Sequence, residues 1–145
     1  MPIPEFNSEG DLPEGVHCAT LVEVLERFGN RTDVRQQATD ALLLVLNLAM
    51  GTACLDRFIV FGSYITAKAE PNDVDLFLVM SGQFEIDNQT GDTREMFIHR
   101  HAQRSFNASV FWVNRQSSFA SIDYLIEGWQ TKRDRSRRGI VEVVL

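Results

Sequence analysis

Cysteine is nearly absent: the 145-residue chain has two, Cys18 and Cys54. Neither belongs to a Cys-x-x-Cys or Cys/His cluster, which excludes a disulfide framework or a structural zinc site as the organising device. Both are expected to be buried or half-buried free thiols. Long apolar runs are missing as well, and none approaches the ~20 residues that a membrane helix needs. The polar segment 1–15 lacks the charged-then-apolar pattern of a signal peptide, so the expected compartment is the cytoplasm and no membrane partner is expected. Positive charge is in short supply, with 14 Lys and Arg against 20 Asp and Glu, a net charge of −6. That balance argues against a surface wholly devoted to nucleic acid.

What is present is a globular composition, 44% hydrophobic and 23% charged, at a length that fits one domain over 1–145. Pro2, Pro4, Gly10, Pro13 and Gly15 make the first ~15 residues an extended arm with turns, which Phe6 and Leu12 can pin to the body. Leu21, Val24, Leu25 and Phe28 recur at helical spacing over 20–28, closed by Gly29-Asn30. A second helix is expected from a Thr32-Asp33 cap to residue 49 or 50, with Gly51 as its stop. Its stripe of Ala38, Ala41, Leu42, Val45, Leu46 and Ala49 is widened by Leu43, Leu44 and Leu48, a pattern for core packing.

Apolar runs with β-branched members place strands over 58–61, 74–80, 108–114 and 140–145. Helices are expected over 93–106 and 119–129, with a polar loop over 83–92 and Trp112 and Trp129 as core anchors. The alternation of strands and helices makes the fold α/β or α+β.

The stretch 57–80 carries the chemistry. Asp73 and Asp75 are two apart where a strand begins, so both carboxylates leave one face while Val74 enters the other. Two acids so placed repel each other unless a cation compensates, and magnesium, with its preference for oxygen ligands and substrate phosphates, suits them. Gly62-Ser63, after a buried strand, supplies a tight turn where backbone amides and the Ser63 hydroxyl can donate to a phosphate. A short helix over 64–68 would add its N-terminal dipole, and Thr66 and Lys68 are further phosphate candidates. Pro71-Asn72 turns the chain back so that Asp73 enters the sheet beside Gly62.

Gly-Ser, a spacer and Asp-Val-Asp on an apolar strand resemble the signature of the DNA polymerase β-like nucleotidyltransferase superfamily. The resemblance extends over most of the chain to an uncharacterised bacterial branch of it. It is carried by Ile3-Pro4-Glu5-Phe6-Asn7, by Leu12-Pro13 with Gly15-Val16-His17, by Gly62-Ser63-Tyr64 through Pro71-Asn72-Asp73-Val74-Asp75, and by the closing Trp129-Gln130 and Arg138-Gly139-Ile140-Val141.

The resemblance implies a small mixed sheet flanked by helices and transfer of a nucleoside monophosphate from a triphosphate to a hydroxyl or similar acceptor. It further implies Asp73 and Asp75 as catalytic metal ligands for magnesium, or manganese in its place, and Gly62-Ser63 as the phosphate turn. The acceptor it leaves open among RNA, protein and small molecule. The superfamily pattern usually adds a third carboxylate on a neighbouring strand, and the position that aligns with it here is Ser109, a poor magnesium ligand. Either Asp87, Asp92 or Asp123 substitutes, or the chain binds without catalysing. An idle relative would act by association, as one half of a toxin–antitoxin pair with a small protein partner.

His99 and His101 are two apart on an expected helix and cannot share a face, so they form no joint metal site. His17 is assigned to capping or fixing the arm. Lys132, Arg133, Arg135, Arg137 and Arg138 form a basic run, read first as a solvated loop and second as a phosphate or RNA contact.

Overall fold

The computed structural model describes residues 3–29 and 32–145. The expected positions of Pro2 in the arm and Asn30 at the first helix end lie outside the described residues. The elements run β1 (Val16–Ala19), α1 (Leu21–Phe28), α2 (Asp33–Gly51), β2 (Leu55–Phe61), β3 (Val74–Met80), α3 (Gly91–Met96), α4 (His99–Phe106), β4 (Ala108–Asn114), α5 (Ile122–Gly128) and β5 (Ile140–Val143). The result is a mixed α+β fold around one five-stranded sheet in the order β1-β5-β2-β3-β4. The β2–β3 and β2–β5 pairs are antiparallel, and β3–β4 and β1–β5 are parallel.

Strand β3 is the centre of the core because Val74, Leu76, Leu78 and Met80 on one face are fully buried. Helix α2 packs across β2, β3 and β4, seating Ala38, Leu42, Val45 and Ala49, all without solvent exposure. Among the described residues no helix is long and apolar enough to cross a membrane.

Local chemistry explains the helix starts. Thr20 opens α1 with a capping box: its hydroxyl accepts from the Glu23 amide while the Glu23 carboxylate accepts from the Thr20 amide. A Thr20→Ala variant is expected to lose about 1 kcal/mol of stability in urea denaturation, the usual size of an N-cap loss. Ser121 caps α5 with its hydroxyl alone, accepting from the Tyr124 amide, which starts that helix at Ile122 rather than at 119 and leaves Phe119 fully exposed.

Several elements depart from the sequence pattern. Strand β1 was not expected; it lies at a sheet edge, pairing with β5. The expected helix over 93–106 is two helices, broken where Ile98 is extended (φ −100°, ψ 108°). The Trp112 indole donates to the Phe97 carbonyl at 2.9 Å, withdrawing that oxygen from the helical ladder. The loop 83–92 contains a short 3₁₀ turn, Ile86–Asn88. Cys18, expected to be at least half-buried, is exposed because it lies on an outward position of the edge strand β1; Cys54 is half-buried.

The described part of the N-terminal arm, from Ile3 on, is held to the body. Leu12 is buried, Phe6 packs on Phe28 at 6.2 Å between ring centroids, and the Arg27 guanidinium lies 4.5 Å from the Phe6 ring. His17 has its Nε2 2.7 Å from the Pro13 carbonyl, consistent with arm fixing.

Candidate functional site

Strand β2 ends on Phe61, which faces Asp75 in the antiparallel register. Gly62 follows at φ 79°, in the left-handed region that favours glycine. A Cβ on Gly62 would also collide with the Asp75 carboxylate. Glycine is therefore required twice, for conformation and for room. Residues Ser63–Ile65 form a single 3₁₀ turn, not the helix expected over 64–68, so the local contribution to anion binding is the turn's own amides and not a helix dipole.

The structure brings Gly62, Ser63, Asp73 and Asp75 together on one cavity and leaves Thr66 and Lys68 off it. Thr66 is buried, with its hydroxyl donating to the Ser63 carbonyl at 2.7 Å and accepting from the Lys68 amide at 3.2 Å. It shapes the loop from behind. The Lys68 side chain is exposed.

Beneath the loop lies Arg35, 3% exposed. Its guanidinium donates to the carbonyls of Phe28, Tyr64, Thr66 and Lys68. The Tyr64 hydroxyl, fully buried, is 2.7 Å from the Thr39 hydroxyl, which fixes the turn to α2 at a second point.

Asp73 immediately precedes β3 and Asp75 is its second residue. Burial, and then the neighbouring Asp73 carboxylate, push Asp75 up to about 6. The Ser109 hydroxyl and the Arg138 and Arg133 guanidinium groups pull it down without cancelling those causes. Ser109 lies in register with Asp75 on the adjacent parallel strand. Its hydroxyl donates to Asp73 Oδ2 at 2.8 Å and accepts from Gln103 Nε2 at 3.1 Å. The position aligned with a third acid thus holds a hydroxyl bound to the first.

The acids considered as substitutes lie elsewhere. Asp123 pairs with Arg57 at 2.9 Å, Asp87 is 3.9 Å from Arg94, and Asp92 is exposed in the first turn of α3; none of the three lines the cavity. Asp134, which does line it, is not among the residues the sequence marks, nor are Gln103 and Phe111, and Asn72 and Phe61 are marked there only as turn and strand residues. His99 lines the cavity with its ring against Phe111, whereas His101 pairs with Glu95. Trp129 forms part of the wall, so its role goes beyond that of a core anchor.

The basic run is not simply a solvated loop. Lys132, Arg133 and Arg138 line the same cavity as the acids. Residues 131–137 close into a turn through a Thr131–Arg137 bridge and a 2.8 Å bond from the Lys132 amide to the Ser136 carbonyl, with Arg135 at φ 71°. Asp11 of the arm, 5% exposed, accepts from Lys132 at 3.2 Å and Arg138 at 3.4 Å and holds both in place. Arg137 instead pairs with Glu14 and Glu127. The cavity these groups share measures about 750 Å³, within the range of small-molecule sites.

Residues 4–144 match the model of a family described as a family of unknown function, DUF6932. The chain belongs to that family. No curated protein and no solved structure matches it. In this DUF6932 member no three His, Cys, Asp or Glu side chains gather as a metal-ligating group among the described residues. A cation at the acid pair would draw its other ligands from water and substrate, which is the habit of magnesium.

Proposed function

We propose that this chain binds a magnesium nucleoside triphosphate in the cleft between Gly62 and Arg138 and transfers its nucleoside monophosphate to an acceptor hydroxyl. The observation that carries the reading is the convergence, on one cavity, of a glycine turn, an adjacent carboxylate pair and three cationic side chains. The acid pair fits a divalent cation: Asp73 and Asp75 both line the cavity, and Asp75 is raised first by its burial and then by the neighbouring Asp73 carboxylate. Magnesium held there would neutralise charge on the phosphates during transfer.

The protein's own groups would then divide the work. Gly62 lets the chain pass close to a phosphate, and the Ser63 hydroxyl and turn amides donate to its oxygens. Lys132, Arg133 and Arg138 face the outer phosphates, where their charge stabilises the pyrophosphate that leaves as the acceptor oxygen bonds to the α-phosphorus. RNA, protein and small molecules remain the acceptor classes to be tried.

Calorimetric titration with nucleoside triphosphates and magnesium or manganese tests the proposal. Binding at least ~10-fold weaker in an Asp73→Ala, Asp75→Ala double variant is the expected result. Absence of nucleotide binding by the wild type, or affinity unmoved in the double variant, would sink it.

One observation favours a second reading, a catalytically idle protein acting by association, such as a toxin–antitoxin component. The Ser109 hydroxyl occupies Asp73 Oδ2 and supplies no charge of its own. Nucleotide binding without turnover on any acceptor, together with copurification of a small protein partner, would select this reading over the enzyme.

A further inference from the structure

The cavity has two chemically different walls. One is ionic, made by the acid pair and the 131–138 segment. The other is aromatic: Phe61 stacks on Trp129 at 4.4 Å between ring centroids, Phe111 lies 4.9 Å from Trp129, and His99 lies 4.6 Å from Phe111. A polyphosphate site alone requires no such wall. Phe111 is the unusual member: a large apolar ring 36% exposed, in the middle of a strand, lining the same cavity as Asp73 and Asp75.

Its position follows from strand geometry. Ser109 is in register with Asp75, and Phe111 is the next residue of β4 on the same face. Two strand residues separate their attachment points by about 7 Å. That is the order of distance that a sugar spans between a base and its first phosphate. Trp129 and His99 both lie against the Phe111 ring, which remains 36% exposed on the cavity.

Resting on the nucleotide reading above, we propose that Phe111, supported by His99 and Trp129, is the base platform of the site. The ligand is thus a nucleotide with a planar base stacked on Phe111, not a bare polyphosphate. Stacking reads area rather than hydrogen-bond pattern, because every base has a π-face. ATP and GTP are therefore accepted alike, and both bind more tightly than CTP or UTP.

The experiment compares magnesium complexes of ATP, GTP, CTP, UTP and inorganic tripolyphosphate, titrated calorimetrically into wild type, Phe111→Ala, Phe111→Leu and Phe111→Trp. Expected are ATP and GTP affinities about 10- to 100-fold lower in Phe111→Ala, a smaller loss in Phe111→Leu, retention in Phe111→Trp and no change for tripolyphosphate. Phe111→Leu keeps apolar packing against Trp129, and equal tripolyphosphate binding certifies that each variant retains a folded phosphate site. Equal wild-type affinity for ATP and tripolyphosphate, or ATP affinity unmoved in Phe111→Ala, overturns the base platform and leaves the phosphate site standing. Failure of every ligand to bind wild type, or indifference of binding to Asp73→Ala plus Asp75→Ala, overturns both proposals together.

Discussion

An Arg35→Met variant is expected to lose about 3–5 kcal/mol of stability, a large share of the roughly 5–15 kcal/mol that a domain commonly has. Methionine replaces the buried aliphatic stem and removes only the guanidinium. That group, 3% exposed, donates to the Phe28 carbonyl at 3.1 Å, the Tyr64 carbonyl at 2.7 Å and the Thr66 carbonyl at 2.6 Å, and also to the Lys68 carbonyl. Each carbonyl left without a donor in the interior costs about 1–3 kcal/mol, and partial relaxation of the loop keeps the sum below four full penalties.

Arg35→Lys should recover little, since three donors on one ammonium cannot span carbonyls from residues 28 to 68 as a planar fork does. Equilibrium urea unfolding measures the loss, and a deficit under 1 kcal/mol would show that the loop is held by its other bonds. Because the acceptors at Tyr64, Thr66 and Lys68 belong to the loop that follows Gly62, nucleotide affinity should fall with stability even at concentrations of urea where the sheet persists.

This dependence was not legible in the sequence, where Arg35 is one charged residue on a helix with an apolar stripe. Its acceptors at Tyr64, Thr66 and Lys68 are supplied by chain that returns 29 to 33 residues later. The same limit hid the role of the basic run: Asp11 reaches Lys132 across 121 residues, and nothing local marks it as the anchor of a cavity wall. By contrast β3 and β4 were readable to the residue: β3 is a buried, almost wholly apolar run that ends at Ser81-Gly82, and the edge strand β4, though exposed at Phe111, is a β-branched and aromatic run bounded by Asn107 and Asn114.

The return of the acid motif to the Gly62 turn could also be anticipated, but the carboxylate against Gly62 is that of Asp75 and not of Asp73, because β3 starts at Val74 and pairs Asp75 with Phe61. The short edge strand β1 has only four residues, one of them buried, so it offers no period to detect. The break at residues 97–98 has no proline or glycine to announce it. Its cause is a tertiary bond from Trp112, which no window over residues 93–106 contains.

An Asp75→Asn variant is expected to be more stable than wild type in the absence of metal and to lose binding of the magnesium nucleotide. Burial and the adjacent Asp73 push the Asp75 carboxyl up from its ordinary 3.8 to about 6, so at pH 7 the folded protein holds a charge that the unfolded chain would hold more cheaply. The amide is isosteric, uncharged and able to donate toward Asp73. At about 1.4 kcal/mol per pKa unit, and discounted for the partial exposure of the group, the gain is about 1–2 kcal/mol at pH 7.

The sign of the pH dependence follows from the raised value. The folded state binds this proton more tightly than the unfolded state, so the contribution of Asp75 to stability is full below about 3.8 and is lost as pH rises through about 6. The advantage of Asp75→Asn should therefore be greatest above pH 6 and shrink toward pH 4. Magnesium nucleotide should reverse the order, stabilising wild type by mass action and leaving Asp75→Asn nearly unmoved. Thermal unfolding of both proteins at pH 5 and pH 7.5, with and without magnesium ATP, separates these effects. A variant less stable than wild type at pH 7.5 without metal would mean that Asp75 is already compensated within the protein by Arg133 and Arg138, and that the acid pair needs no cation. A stability cost of the paired acids would support the proposal that the cleft takes a metal-bound phosphate ligand, since a site kept only for folding would be better served by the amide.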